Sequence, residues 1–154
     1  MIFIGVDPGF SGAVATILED GTLEVEDMPT LKNAKGKIEI DLHSLYSVLH
    51  PEGFDCFAVV EQVGAMPGQG VTSMFRFGQS YGAIQMAVAA HKIPVSYVTP
   101  VRWKKHFGLT RGKDVSRGLA MQRFPDRADW FKRVKDDGRA EAALLALYAK
   151  EVMP

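Results

Sequence analysis

Residues 2–17, IFIGVDPGFSGAVATI, constrain the fold more than any other stretch of the chain. Ile2, Phe3, Ile4 and Val6 form a β-branched and aromatic run that reads as a buried strand, and the run ends on a carboxylate, Asp7. Pro8 and Gly9 impose a tight turn, Gly12 lets backbones approach closely, and Ala13 to Leu18 reads as a second strand returning beside the first. The hairpin therefore presents Asp7 at a strand end. An Asp before Pro-Gly is also a common turn opener, so this stretch alone leaves Asp7 between chemistry and a plain turn.

At 154 residues, with 47% apolar and 23% charged residues, the chain is expected to form one domain, 1–154, with a real core. A single cysteine, Cys56, lies in an apolar run; it excludes an internal disulfide and suits a reducing compartment. No apolar run approaches the roughly 20 residues of a membrane span, and the N-terminus reads directly into a strand. The expectation is a cytoplasmic protein with no membrane partner.

A net charge of zero hides a strong polarity along the chain. Residues 1–70 carry three Lys/Arg against eleven Asp/Glu, whereas residues 71–154 carry fifteen against seven. Between Arg102 and Lys135 there are eleven basic residues and three acids. Such a run suits a polyanion, because phosphates neutralised by cations release counterions; a merely solvated basic face has the same composition. The candidate DNA contacts are Arg102, Lys104, Lys105, Arg111, Lys113 and Arg117, with Arg76 and Arg139 on two other helices.

Along the chain, Gly21-Thr22 turns into a third strand, Leu23 to Met28, which suggests an antiparallel meander of three. Residues 29–37 read as a polar loop. Asp41 can cap a helix carrying Leu42, Leu45, Tyr46 and Leu49, ended by Pro51 and Gly53. Phe54 to Val60 is a near-continuous apolar run, the mark of a strand covered on both faces, and it too ends on a carboxylate, Glu61. In a mixed open sheet, functional groups gather where the carboxyl ends of neighbouring strands meet, so Asp7 and Glu61 would lie together if their strands are adjacent.

The glycine-rich segment after Glu61 lacks the Lys-Ser or Lys-Thr of a phosphate-binding loop, so no nucleotide cofactor is expected. Thr72 or Ser73 starts a long helix through His91, with Gly78 and Gly82 on one face as a place for close crossing. Ile93 to Val98 is a strand and Thr99-Pro100 a helix start. The helix that follows interleaves Trp103 and Phe107 with cations; their spacing of four favours core for the aromatics and DNA for the cations. Gly108 to Lys113 is a basic loop, and Asp114 caps a helix through Phe124. His43, His50, His91 and His106 show no zinc spacing, and no nucleophile-elbow serine appears. In the last helix Asp137 and Glu141, four apart, share a face, while Ala140, Ala143, Leu144 and Leu147 form the docking stripe. Asp136 would replace Asp137 on that face if the helix began elsewhere, and acids at a helix start also serve simply as dipole partners.

Four motifs, GVDPGFSGA, VVEQVGAMPG, YVTPVRWKKHFG and DDGRAEAALLALYA, occur in the order seen in RuvC-type Holliday junction resolvases, and the chain resembles their phage and prophage branch over essentially its whole length. The resemblance implies an RNase H-like α/β fold: a five-stranded mixed sheet, an antiparallel meander of three and then parallel strands, flanked by helices. It implies a homodimer acting on four-way DNA junctions, with two Mg²⁺ or Mn²⁺ ions per active site. Asp7, Glu61, Asp137 and Glu141 then match the catalytic acids, with Asp136 a further metal-ligand candidate. Hydrolysis on two ions about 4 Å apart would yield paired nicks with 5′-phosphates and needs no side-chain nucleophile, in keeping with the lack of a Ser, Cys or His constellation.

Two positions depart from the pattern. Gly64 stands where some relatives carry an aromatic wedge, and the last-helix acids are four apart with Glu second, where bacterial members show three with Asp second. A flap or general branched-DNA endonuclease of the same fold is the alternative, and a non-catalytic RNase H-like nucleic-acid binder a more distant one, disfavoured by retention of the acids. The actin and sugar-kinase superfamily shares a likeness to DPGFSGA but needs a second domain. The symmetric junction calls for a twofold dimer, with the long helix from Thr72 to His91 at its interface.

Overall fold

The computed structural model describes residues 1–49, 55–112 and 114–153. Strands β1 (Ile2–Asp7), β2 (Ala13–Ile17) and β3 (Leu23–Asp27) form the expected antiparallel meander. After a small hairpin, β4 (Thr30–Lys32) and β5 (Ile38–Ile40), comes helix α1 (Leu42–Val48), capped by Asp41 accepting from the Ser44 N–H at 3.1 Å. Strand β6 (Cys56–Glu61) then adds parallel to β1, and β7 (Val95–Val98) parallel to β6, giving the order β3-β2-β1-β6-β7. Helix α2 (Val71–Ala90) makes the crossover between β6 and β7. Helices α3 (Pro100–His106) and α4 (Val115–Arg123), two 3-10 turns (Pro125–Phe131 and Val134–Asp136) and α5 (Asp137–Val152) complete the chain.

Side-chain alternation divides the sheet into two faces. Ile2, Ile4 and Val6 of β1, with Ala58 and Val60 of β6, point into one core with Leu45 of α1 and Ile84 and Val88 of α2. Val59, Ala13, Ala15 and Ile17 point the other way, into a second core closed by α5, Trp103 and Phe131. By the same parity Asp7 and Glu61 belong to the α5 face. This follows from the strand period alone, once β1 and β6 are known to be parallel neighbours.

The approach of α5 depends on missing side chains. Ala140, Ala142, Ala143, Ala146 and Ala149 are all buried, and a Cβ placed on Gly5 of β1 would lie 2.1 Å from the Ala142 carbonyl oxygen. At the start of α5 a Cβ on Gly138 would lie 2.2 Å from the Ser11 carbonyl oxygen, so the first turn of the helix rests against the β1–β2 turn. The small residues therefore set the distance between the last helix and the strand that ends in Asp7.

Several sequence expectations change. Residues 29–37 are not wholly a loop, because Thr30–Lys32 pairs with Ile38–Ile40. Gly78 and Gly82 do not mark a close crossing among the described residues, since Cβ atoms built on them would meet none of those residues within 4 Å. Asp114 makes no side-chain cap to α4; its carboxylate pairs instead with Arg117. The expected helix stop at Pro51 and Gly53, and Phe54, fall outside the described residues.

Candidate active site

Register brings the acids together. Val6 lies opposite Val60 in the parallel β1–β6 pair, so the next residues, Asp7 and Glu61, leave the sheet side by side on the α5 face. Glu141 comes to them from the second turn of α5. Asp7, Glu61 and Glu141 each offer a carboxylate oxygen, and the three oxygens lie within 4.8 Å of one another. The expected pairing of the two strand-end acids is what the fold produces.

Two successive residues of α3 reach this cluster. Val98, the last residue of β7, lies opposite Glu61, and α3 begins two residues later, so its first turn stands over that carboxylate. The indole Nε1–H of Trp103 donates to Glu61 Oε1 at 2.9 Å, and Lys104 Nζ lies 2.9 Å from Glu141 Oε1. Ser116 of α4 reaches the same Glu141 oxygen at a long 3.4 Å.

The electrostatics are those of a site short of positive charge. Burial pushes the Asp7 carboxyl well above its usual range, and repulsion from Glu141 and Glu61 adds to this against the attraction of Lys104. Glu61, 7% exposed, is also pushed up by burial, with the Trp103 hydrogen bond acting in the opposite direction. One ammonium against three clustered carboxylates leaves a deficit that a divalent cation would fill, and an all-oxygen donor set suits a hard ion such as Mg²⁺ or Mn²⁺. The residues present thus fit the metal that the acid pattern implies.

The other acids are placed differently. Asp136, 1% exposed, accepts the Arg133 backbone N–H at 2.8 Å and the Arg133 guanidinium at 2.9 Å, and so closes the 3-10 turn before α5 instead of joining the cluster. Asp137 is the first residue of α5 and accepts from Arg117 Nε at 2.8 Å; among the described residues it too stands outside the three-acid cluster. Arg133 contacts both Asp136 oxygens, so Asp136, expected as a further metal-ligand candidate, stands apart from the three clustered acids in this arrangement.

The basic candidates divide in the same way. Arg102, Lys105 and Arg111 are exposed. Lys104 is committed to Glu141. Arg117, expected as a DNA contact, is only 8% exposed and joins Asp114, Asp137 and the Lys132 carbonyl oxygen, which makes it a tie between α4 and α5. Arg139 is bidentate to Asp27, at 2.6 and 2.7 Å. Arg76 donates to the Ile38 carbonyl oxygen and lies 5.2 Å over the Phe10 ring. Lys113 lies outside the described residues. A Cβ on Gly64 would meet nothing within 4 Å among the described residues, and Met66 on the same loop is exposed.

The candidate acids Asp7, Glu61 and Glu141 lie together, but nothing in their spacing indicates that Trp103 and Lys104 engage them. Trp103 is core, as its spacing from Phe107 implies, whereas Lys104, expected as a DNA contact, pairs with Glu141. The missed signal was positional: a residue one turn beyond a strand that runs parallel to the Glu61 strand must stand near that strand's carboxyl end.

This arrangement of mixed sheet, helices and strand-end acids defines an RNase H-like fold of the RuvC type. The chain superposes on T. thermophilus RuvC in complex with a Holliday junction substrate with a TM-score of 0.63 at 16% identity, over 99% of this chain and 97% of that one. A second Thermus thermophilus RuvC structure gives a TM-score of 0.59 at 18% identity, over 98% and 96% of the two chains. At the sequence level the chain is 33% identical over 100 residues to the chloroplastic Holliday junction resolvase MOC1 of Chlamydomonas reinhardtii, covering 60% of this chain and 11% of that protein. The match thus spans about a tenth of that relative's length. No protein-family profile matches the chain.

Proposed function

We propose that this chain is a divalent-metal-dependent endonuclease that resolves four-way DNA junctions. The observation that carries the reading is the convergence of Asp7, Glu61 and Glu141 at the carboxyl ends of two parallel strands and on α5, within a RuvC-type fold. Both the RuvC complex and MOC1 are described by their names in terms of Holliday junctions, which supports the choice of DNA.

Asp7, Glu61 and Glu141 would together hold the Mg²⁺ or Mn²⁺ ions that such a centre needs. Asp137, one turn before Glu141, is the proposed fourth ligand once its pairing with Arg117 is exchanged. Such ions, when bound, supply an activated water and charge for the departing 3′ oxygen, leaving a 5′-phosphate. The protein's own task is to hold the acids together and to exclude other geometries. Arg102, Lys105 and Arg111 would take phosphates outside the acid cluster.

One such centre per chain makes one nick at a time, and a junction offers two equivalent strands, so the proposal includes a twofold dimer. Helix α2 supports this: Val71, Phe75, Gly78, Gly82 and Met86 form an exposed apolar or small face along its length. Phe75 is 67% exposed, and the face borders a groove of about 810 Å³ that also includes Phe10, Leu42 and Tyr46.

The test is cleavage of a synthetic four-way junction beside flap, fork and linear duplex DNA with Mg²⁺. Paired symmetric nicks in the junction, with 5′-phosphate ends and the other DNAs spared, are expected. Equal cutting of flaps and forks would make the protein a general branched-DNA endonuclease, and no cleavage of any DNA would reject the nuclease reading.

A further inference from the structure

Trp103 is fully buried, at 0% exposure, in the core beneath α5. A side chain that served only to fill that space would not need a polar hydrogen, because a buried indole N–H is costly unless something accepts it. Here the acceptor is a carboxylate of the acid cluster, Glu61 Oε1, at 2.9 Å. The indole N–H can only donate and does not ionise, so it engages one lone pair of one oxygen and leaves the rest of the carboxylate available. The next residue, Lys104, holds the third acid, Glu141, at 2.9 Å. One turn of α3 thus grips two of the three cluster acids, and the same helix presents Arg102 and Lys105 to solvent.

We infer that Trp103 is a positioning residue of the metal centre: its indole N–H fixes the rotation of the Glu61 carboxylate, so that Glu61 faces Asp7 and Glu141 before any ion arrives. The inference rests on the metal-nuclease reading and deepens it. Hydrogen bonds of this kind behind a metal ligand are worth about 10–100-fold in metal affinity when removed. The bond joins two chain segments far apart in sequence, β6 and α3, so the orientation of Glu61 depends on how α3 is seated. Phosphates held by Arg102 or Lys105 would act on the same helix.

The test is direct because the chain has only two tryptophans, Trp103 and Trp130. Indole N–H resonances of the ¹⁵N-labelled protein are assigned with W130F and followed during Mg²⁺ titration, while Mg²⁺ affinity of the wild type, W103F and D7N is measured by calorimetry. The Trp103 resonance is expected to exchange slowly with solvent and to move saturably with Mg²⁺, while that of Trp130 stays in place. W103F keeps an aromatic ring in the core, and with its fold checked by circular dichroism it is expected to bind Mg²⁺ about 10–100-fold more weakly. A Trp103 resonance indifferent to saturating Mg²⁺, or a folded W103F with wild-type affinity, would overturn the inference while leaving the metal centre intact. If W103F does not fold, the wild-type titration decides alone. A wild type that binds Mg²⁺ no better than D7N would instead bring down the metal reading beneath it.

Discussion

Asp7 shows most clearly how one residue couples stability to chemistry. Burial and the neighbouring Glu141 and Glu61 raise its carboxyl pKa, which means that the folded, metal-free protein binds this proton more tightly than the unfolded chain does. Its favourable contribution is therefore present below the usual carboxylate value and is lost as pH rises through the raised value. At neutral pH, without metal, the Asp7 charge is a penalty. Asp7→Asn is accordingly expected to raise the melting temperature of the metal-free protein at pH 7 and to abolish the rise that Mg²⁺ gives the wild type, as scanning calorimetry with chelator and with Mg²⁺ would read. A mutant that keeps the Mg²⁺ response would remove Asp7 from the centre. The basic residues make a second contrast. Arg111→Ala should flatten the salt dependence of junction binding by about one unit with the melting temperature unchanged. Arg117→Ala, which removes a tie among Asp114, Asp137 and the Lys132 carbonyl oxygen, should lower the melting temperature. Asp7 was legible in the sequence because it interrupts an apolar strand. Arg117 was not, because a run of basic residues gives no sign that one of them meets an acid 20 positions later.

Among the elements, the close seating of α5 on β1 fixes where Glu141 stands. Its alanines were legible as a sign of tight packing, but the partner of that packing, Gly5, was not, because a glycine inside a strand run gives no indication of what approaches it. Gly5→Ala forces a Cβ into the α5 backbone and is expected to destabilise the fold by about 1–3 kcal/mol or more, measured by urea unfolding. Wild-type stability would mean that α5 lies farther off. On the far side Arg139 ties α5 to β3, and its hydrogen bonds hold the Asp27 carboxyl below the usual carboxylate range. A lowered value stabilises the fold above the unfolded carboxylate pKa, and the contribution is lost as pH falls through the lowered value. Asp27→Asn should therefore flatten the acid limb of the stability curve below about pH 4, by no more than ~1 kcal/mol for so exposed a pair. The hairpin of β4 and β5 escaped the sequence reading for a physical reason: its strands are three residues each, and only Ile40 is buried, so neither length nor alternation marks them.

For the whole molecule, the sequence order of strands and helices carried the architecture, since two carboxylates ending two apolar runs already require those strands to be parallel neighbours if the acids are to meet. Quaternary structure lies beyond that logic. The exposed face of α2 is the proposed interface, and Phe75→Glu is expected to give a folded monomer in sedimentation equilibrium that cuts a junction once or not at all. A wild-type protein that sediments as a monomer with junction bound would set that interface and the paired nicks aside. The proposed nuclease centre is tested most directly by incubating wild type and Asp7→Asn with a labelled four-way junction, with Mg²⁺ and with chelator, and resolving the products on a denaturing gel beside a binding assay. Wild type should cut only with Mg²⁺, and Asp7→Asn should bind the junction and leave it whole. Cleavage by wild type in chelator, or cleavage by Asp7→Asn at the wild-type rate, would contradict the assignment of the reaction to Asp7, Glu61 and Glu141.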